Sequence, residues 1–193
     1  MIIIGYQGIG KSTLCRNFYE KFIDLESGNF WVDGKRADDW YKIYANIANH
    51  LSAQGCVVFT SSHEVIRKAL YNSTEQVYIV HPSLDLRDHW ISKLKCRYEQ
   101  TNLDKDYKAW KNAESGYAEQ IMSCIDDPIP NVEISSANYD LYNIIQDLRY
   151  PNTPDGRHTR ICDAKRHMED AEDEYTNVLR ILASRIDHLE CED

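Results

Sequence analysis

The sequence predicts an α/β protein in three layers, a five-stranded parallel sheet between helices, with a C-terminal helical extension. Three observations predict it. Short apolar runs of strand length alternate with amphipathic runs of helical spacing over residues 1–150, the order that builds a parallel sheet through right-handed crossovers. A glycine-rich turn stands at the first strand–helix junction. Over residues 151–160 the composition shifts to Pro, Gly, Asn and Thr, which reads as a linker, and apolar residues then resume at spacings of three and four.

The first element justifies most of the reading. Ile2, Ile3 and Ile4 form a β-branched run suited to a strand buried on both faces. Gly5-Tyr6-Gln7-Gly8-Ile9-Gly10-Lys11-Ser12 then fits G-x-x-x-x-G-K-[ST], and Leu14, Phe18 and Phe22 continue at helical spacing. Such a loop turns successive N–H groups into one concavity, and the positive end of the following helix adds to the pull on a polyphosphate. Gly8, Ile9, Gly10, Lys11, Ser12 and Thr13 are therefore expected to hold ATP. Lys11 would reach the β- and γ-phosphates and the Ser12 hydroxyl would ligate Mg²⁺. A strand–loop–helix unit of this kind at the head of an alternating α/β chain resembles the P-loop NTPase layout.

The remaining elements follow in order. A helix is expected from Lys11 to Phe22 and a strand at Phe22–Leu25, ending in the acids Asp24 and Glu26. Phe30 to Lys35 reads as a loop turning at Asp33-Gly34. Asp38 or Asp39 can cap a helix whose apolar positions are Trp40, Ile43, Ile47 and Leu51, and Gly55 suits its left-handed end. Cys56 to Phe59 is a buried strand ending in Thr60-Ser61-Ser62-His63, and Glu64 to Leu70 is helical. Val77 to Val80 is the fourth strand, followed by a helix to about Tyr98. Gln100 to Asp106 is polar and expected to be mobile, within a lid region of about residues 97–107. Tyr107 to Ile125 carries Trp110, Tyr117, Ile121 and Ile125 on one helical face, until Pro128 and Pro130 break it. Val132 to Ser135 is the fifth strand, and Tyr139 to Leu148 the last core helix. Met168, Ala171, Tyr175, Val178, Leu182, Ile186 and Leu189 then suit a helix that docks on the core or pairs with another copy in a homo-oligomer.

At 193 residues with 42% apolar composition, the chain can bury a core in one domain with an appendage. A formal charge of −9 argues against nucleic acid as the main partner. Six cysteines lack C-x-x-C pairing, and no apolar run reaches transmembrane length. The expected setting is a reducing cytoplasm, with free thiols, no structural zinc and no membrane.

The acceptor of a transferred phosphate is less legible. The third strand ends in Thr60-Ser61-Ser62-His63 with no carboxylate, and the acids lie instead on the second strand's end, at the carboxyl edge where open α/β sheets bind ligands. Asp24 could accept the proton of an acceptor hydroxyl or hold a ribose or a metal-bound water, or it could cap a turn. Ser61, Ser62 and His63 could line an acceptor pocket, and Arg36 and Arg67 could meet an anionic acceptor. His63 also reads as a simple cap. Trp31 could stack a base, whereas Trp40 on an apolar helical face reads as core.

This distribution resembles the small P-loop kinases, the nucleoside monophosphate, shikimate and gluconate kinase group, over about residues 1–149 in layout. Gly5 to Ser12 matches their phosphate loop. The resemblance implies that Asp24 binds or activates the acceptor and that Ser61-Ser62-His63 with Arg67 forms an acceptor segment. It further implies that Arg97 and Arg87 are lid arginines and that Asn131 to Asn138 contacts adenine. The missing acid after the third strand departs from adenylate-type kinases.

The expected function is ATP-dependent transfer of the γ-phosphate to a small molecule, a nucleoside monophosphate or nucleoside first. Lys11, Asp24 and Arg97 would be catalytic, and Asp24, Glu26, Arg36, Ser61, Ser62 and Arg67 acceptor-binding. Two alternatives stand beside it: a gluconate- or shikimate-like kinase of a hydroxylated metabolite, and a regulatory ATP-binding module signalling through its C-terminal helix.

Overall fold

A computed structural model describes residues 1–17, 21–31 and 33–151. Met1–Leu141 forms one compact unit, and a second begins at Tyr142. The expected linker and heptad-bearing extension, residues 152–193, lie outside the described residues, as does Phe18.

Five strands run parallel in the order β2-β3-β1-β4-β5: β1 (Ile2–Gly5), β2 (Phe22–Asp24), β3 (Val57–Ser61), β4 (Val77–Pro82) and β5 (Asn131–Ile134). The all-apolar β1 takes the centre because both its faces are covered, and Ile2, Ile3 and Ile4 are fully buried. Its register sets Ile2 beside Val58 and Val77, and Ile4 beside Thr60 and Ile79. From β1 the chain leaves towards β2 and β3, while from β4 it leaves towards β5. The carboxyl ends of β1 and β4 are thus a topological switch point, the place where open α/β sheets open a crevice.

The helices are α1 (Lys11–Asn17), α2 (Trp40–Ala53), α3 (Glu64–Ala69), α4 (Arg87–Thr101), α5 (Asp104–Ile125) and α6 (Leu141–Arg149). Ile2, Ile4, Val58 and Ile79 share one core cluster with Tyr44, Ala45 and Ala48 of α2, Ile66 of α3 and Cys124 of α5. None of the helices among the described residues is long and apolar enough to cross a membrane. In α6, the Tyr150 N–H closes the last turn on the Gln146 carbonyl at 2.8 Å.

Three expectations need correction. The first helix does not reach Phe22: that residue opens β2, pairs with Val57 and stacks on Phe59 at 6.1 Å. An aromatic spaced to fit a helix also fits a strand, and the sheet neighbour decides. In α2 the buried face is Tyr44, Ala45, Ala48 and Ser52, while Ile43 and Ile47 are exposed to 50% and 37%. Small alanines let the helix backbone approach the sheet, which turns the bulkier isoleucines outward. Asp39 stands at the start of α2 without a side-chain cap bond.

The third concerns residues 100–106. They form no long connection: α4 and α5 are joined at Asn102 and Leu103, with Asn102 in the left-handed region (φ 51°) that asparagine tolerates. Asp106 locks the turn, accepting from Thr101 Oγ1 at 2.6 Å and pairing with Arg97 at 2.9 Å. The expected lid is the tip of an antiparallel helix pair.

Candidate functional site

The glycine loop leaves β1 under tight steric control. A Cβ on Gly5 would stand 2.6 Å from Ile9 Cδ1 and 2.8 Å from Lys11 Cδ, so any side chain there would push the Ile9 and Lys11 side chains out of their places over the strand end. Gly8 and Gly10 take φ of +84° and +101°, conformations that strain any residue with a side chain. Ile9, fully buried beneath the loop, anchors it to the core. α1 then starts at Lys11, and its first N–H groups have no partner within the helix. Thr13 donates its N–H to the Gly10 carbonyl at 3.1 Å.

Lys11 crosses back over this turn. Its Nζ donates to the Gly5 carbonyl at 2.8 Å and to the Tyr6 carbonyl at 3.3 Å. Burial pushes its pKa below the ordinary lysine value, Asp24 and Glu26 oppose that shift, and Arg97 adds to it. An ammonium held on carbonyl dipoles in a desolvated cradle is one that an anion would stabilise.

α4 grips the loop from the other side, a feature the sequence reading missed. Trp90, fully buried, donates Nε1–H to the Gln7 carbonyl at 2.8 Å, and its ring stacks on Tyr139 with centroids 5.8 Å apart. Tyr139 in turn approaches the Gly8 carbonyl with its hydroxyl at 3.4 Å. Lys93 lies 4.6 Å from the Trp90 ring and donates to the Tyr139 hydroxyl at 3.0 Å. Partial burial, then Arg97, lowers the Lys93 pKa. Lys11, Lys93 and Arg97 therefore converge on one region. Trp90, Lys93 and Arg97 stand at i, i+3 and i+7 on α4, a face whose aromatic–cationic character was the available signal. Tyr139, which meets this loop, directly follows the Asn131 to Asn138 stretch expected at adenine.

Ser12 Oγ donates to Asp24 Oδ2 at 2.5 Å. The acid at the end of β2 thus reaches the loop hydroxyl, although β3 separates β2 from β1. Beyond this pair opens a cavity of about 570 Å³, walled by the ends of β1, β2 and β3 and by α3 and α5. Lys11, Asp24, Glu26, Ser61, Ser62, His63 and Arg67 all line it. Tyr44 of α2 fixes two of its walls: its hydroxyl donates to the Leu25 carbonyl at 2.5 Å and accepts from the Ser61 N–H at 3.0 Å. α5 adds Asn112, Glu119, Gln120 and Ser123, none of them singled out from sequence.

The basic candidates separate. Arg67 is buried, and its donors go to Asp127 Oδ2 (2.7 Å), the Ser62 carbonyl (2.6 Å), and the Ser123 carbonyl and hydroxyl (3.1 and 2.5 Å). Arg36 lies between Trp31 and Trp40, 4.9 and 4.0 Å from their ring centroids, and donates to the Ser27 carbonyl at the cavity edge. Trp40 also packs against Phe30 and Tyr44. Arg87 is held at the surface by Asp88 and the Glu114 carbonyl. Desolvation, with Arg36 and Arg67 adding, holds His63 below its ordinary pKa, so its ring is neutral at physiological pH.

Neither a protein-family model nor a curated protein matches this chain.

Proposed function

We propose that the protein is an ATP-dependent phosphotransferase that moves the γ-phosphate to a hydroxyl of a small acceptor held in the cavity. The observation that carries this reading is the position of Asp24, bonded to the hydroxyl of Ser12 on the phosphate loop while also lining the cavity. One carboxylate thereby touches both the expected donor site and an acceptor-sized space.

The residues fit the groups this reaction needs. Ser12 spends its proton on Asp24, which leaves its oxygen lone pairs for a hard cation. Mg²⁺ held there would supply charge neutralisation across the β- and γ-phosphates. Lys11 exchanges the Gly5 and Tyr6 carbonyls for phosphate oxygens. Lys93 and Arg97 add positive charge from α4, Arg97 while still anchored by Asp106. The acceptor oxygen attacks the γ-phosphorus, the bond from phosphorus to the β–γ bridging oxygen breaks, and ADP leaves with that electron pair. Asp24 takes the hydroxyl proton. Little covalent work is asked of the protein; most of the rate comes from positioning and charge.

ADP release measured against a panel of acceptors, with parent and Lys11→Ala, tests this. Loss of at least about 100-fold in acceptor-dependent turnover is expected, in line with removal of one preorganised transition-state donor. Nucleotide binding and turnover by Lys11→Ala equal to the parent would refute it.

A further inference from the structure

The cavity has a chemistry that the donor site does not explain. Asp24, Glu26, Glu64 and Glu119 line the cavity, against two cations, Lys11 and Arg67. Neither cation is available to a charged acceptor. Lys11 belongs to the phosphate loop, and Arg67 is committed to Asp127, Ser62 and Ser123. Two carboxylates have cations nearby outside the lining: Lys105 lies 3.6 Å from Glu26, and Lys68 2.6 Å from Glu64. Arg36 remains at the edge, stacked on its tryptophans. Among the described residues, no cation lies within ion-pair distance of Glu119.

Most of the remaining lining is hydroxyl and amide, with the neutral ring of His63 and the apolar Leu25 and Cys124 among it. Ser61, Ser62 and Asn112 offer donors and acceptors on separate walls, whereas the Ser123 hydroxyl is taken by Arg67 and the Gln120 amide by Tyr6 and the Asn112 carbonyl; among the described residues no Phe, Tyr or Trp lines the space. A phosphomonoester is recognised by uncommitted guanidinium or ammonium groups, and a dianion set among carboxylates is repelled by them. A nucleobase is recognised by a flat apolar or aromatic wall. The lining itself supplies no uncommitted guanidinium or ammonium group and no aromatic wall. Carboxylates, amides and hydroxyls together match a ligand rich in hydroxyl groups, and a carboxylate without a partner matches an ammonium group.

We propose that the acceptor is a non-anionic polyol, a sugar and by preference an amino sugar whose ammonium group Glu119 receives. The proposal rests on the phosphotransferase reading, and it sets aside the nucleoside monophosphate that heads the sequence expectations. The transfer joins an acceptor hydroxyl oxygen to the γ-phosphorus, releases ADP and gives up one proton, so the product is a sugar phosphate.

The test uses the full chain with Mg²⁺ and ATP, reading ADP release with glucosamine, glucose, gluconate, thymidine, AMP and dTMP as probes, and ³¹P NMR for a new phosphomonoester. Turnover with glucosamine above glucose, and background rates with the other four, is expected. In Glu119→Gln the ratio of the glucosamine KM to the glucose KM should rise about tenfold, the loss expected for one charge-assisted contact. Turnover led by a nucleotide, the nucleoside or gluconate would overturn the proposal and leave the phosphotransferase reading standing. Background rates with both sugars, while calorimetry still shows the Mg²⁺ complex of a non-hydrolysable ATP analogue binding, would overturn it as well. An unchanged KM ratio in Glu119→Gln would remove Glu119 from the acceptor site. Absence of analogue binding would instead sink the phosphotransferase reading itself.

Discussion

Arg67 offers a sharp test of how the cavity is built. From sequence it reads as a receptor for an anionic acceptor; in the structure it is the tie between β3, α3 and α5. Its side chain is 6% exposed and that of its partner Asp127 3%, so the pair is desolvated. Replacing Arg67 by Met keeps much of the volume but leaves Asp127 buried without its cation, which costs about 3–5 kcal/mol. Against a typical total of about 5–15 kcal/mol, that is a large share of the stability. At about 2–4 °C per kcal/mol for a chain of this size, the expected fall in Tm is about 6–20 °C. Asp127 also accepts from the Tyr71 hydroxyl at 3.2 Å and the Ile129 N–H at 3.1 Å, so Asp127→Ala should cost at least as much. The double variant removes both buried charges together and should be milder than the sum of the singles by more than about 1 kcal/mol. Circular dichroism melts of the four proteins decide the matter. A loss below about 1 kcal/mol for Arg67→Met, or additive singles, would show a solvated arginine free to serve an acceptor, and the reasoning about the cavity charge would fail with it.

Two further outcomes follow from the loop. Trp90→Phe retains the ring but removes the donor to the Gln7 carbonyl; leaving that acceptor unmet costs about 1–3 kcal/mol and should weaken binding of a non-hydrolysable ATP analogue by about tenfold, read by calorimetry. Lys11 gives the pH dependence. Its folded pKa lies below 10.5, so between the two values the unfolded chain binds more protons and stability of the free protein rises with pH through that window. A polyphosphate raises the same pKa, so nucleotide binding should take up protons and weaken as pH rises through the window. Calorimetry over a pH series up to 10.5, in pairs of buffers of different ionisation enthalpy, measures that uptake, and Lys11→Ala should abolish it.

The parts of the fold that were legible are those where one residue type has one use. Three consecutive isoleucines ending in a glycine turn can scarcely be anything but a buried strand meeting a loop, and β1 is fully covered. Asp33-Gly34 and Gly55 signal their turns because a positive φ is needed there, and each has one. Legibility failed where size outweighed hydrophobicity. Ala45 and Ala48 carry the buried face of α2 because they are small, whereas periodicity of large apolar residues pointed to Ile43 and Ile47. It failed again in α4, where polar residues dominate the count. Trp90 and Lys93 matter there through contacts with Gln7 and Tyr139, 83 and 46 residues away in sequence, and no local pattern reveals those pairings.

Asp24 joins the two kinds of information. The sequence places no carboxylate in Thr60-Ser61-Ser62-His63 at the end of β3 and sets Asp24 at the end of β2, which is not adjacent to β1 in the sheet. Neighbouring strands are about 4.8 Å apart, so β2 and β1 lie roughly twice that distance apart. Reaching across requires short side chains at the end of the strand between them, and β3 ends in Thr60 and Ser61 with Ser62 following. A bulky or acidic residue there would fill or compete for the span between Asp24 and Ser12. The small residues that end β3 and the acid that ends β2 are therefore one arrangement: the former leave room for the outer acid to reach the loop hydroxyl. The same vacated ground above β3 is where the cavity begins, so the displacement that carries Asp24 to Ser12 also opens the cavity beside it.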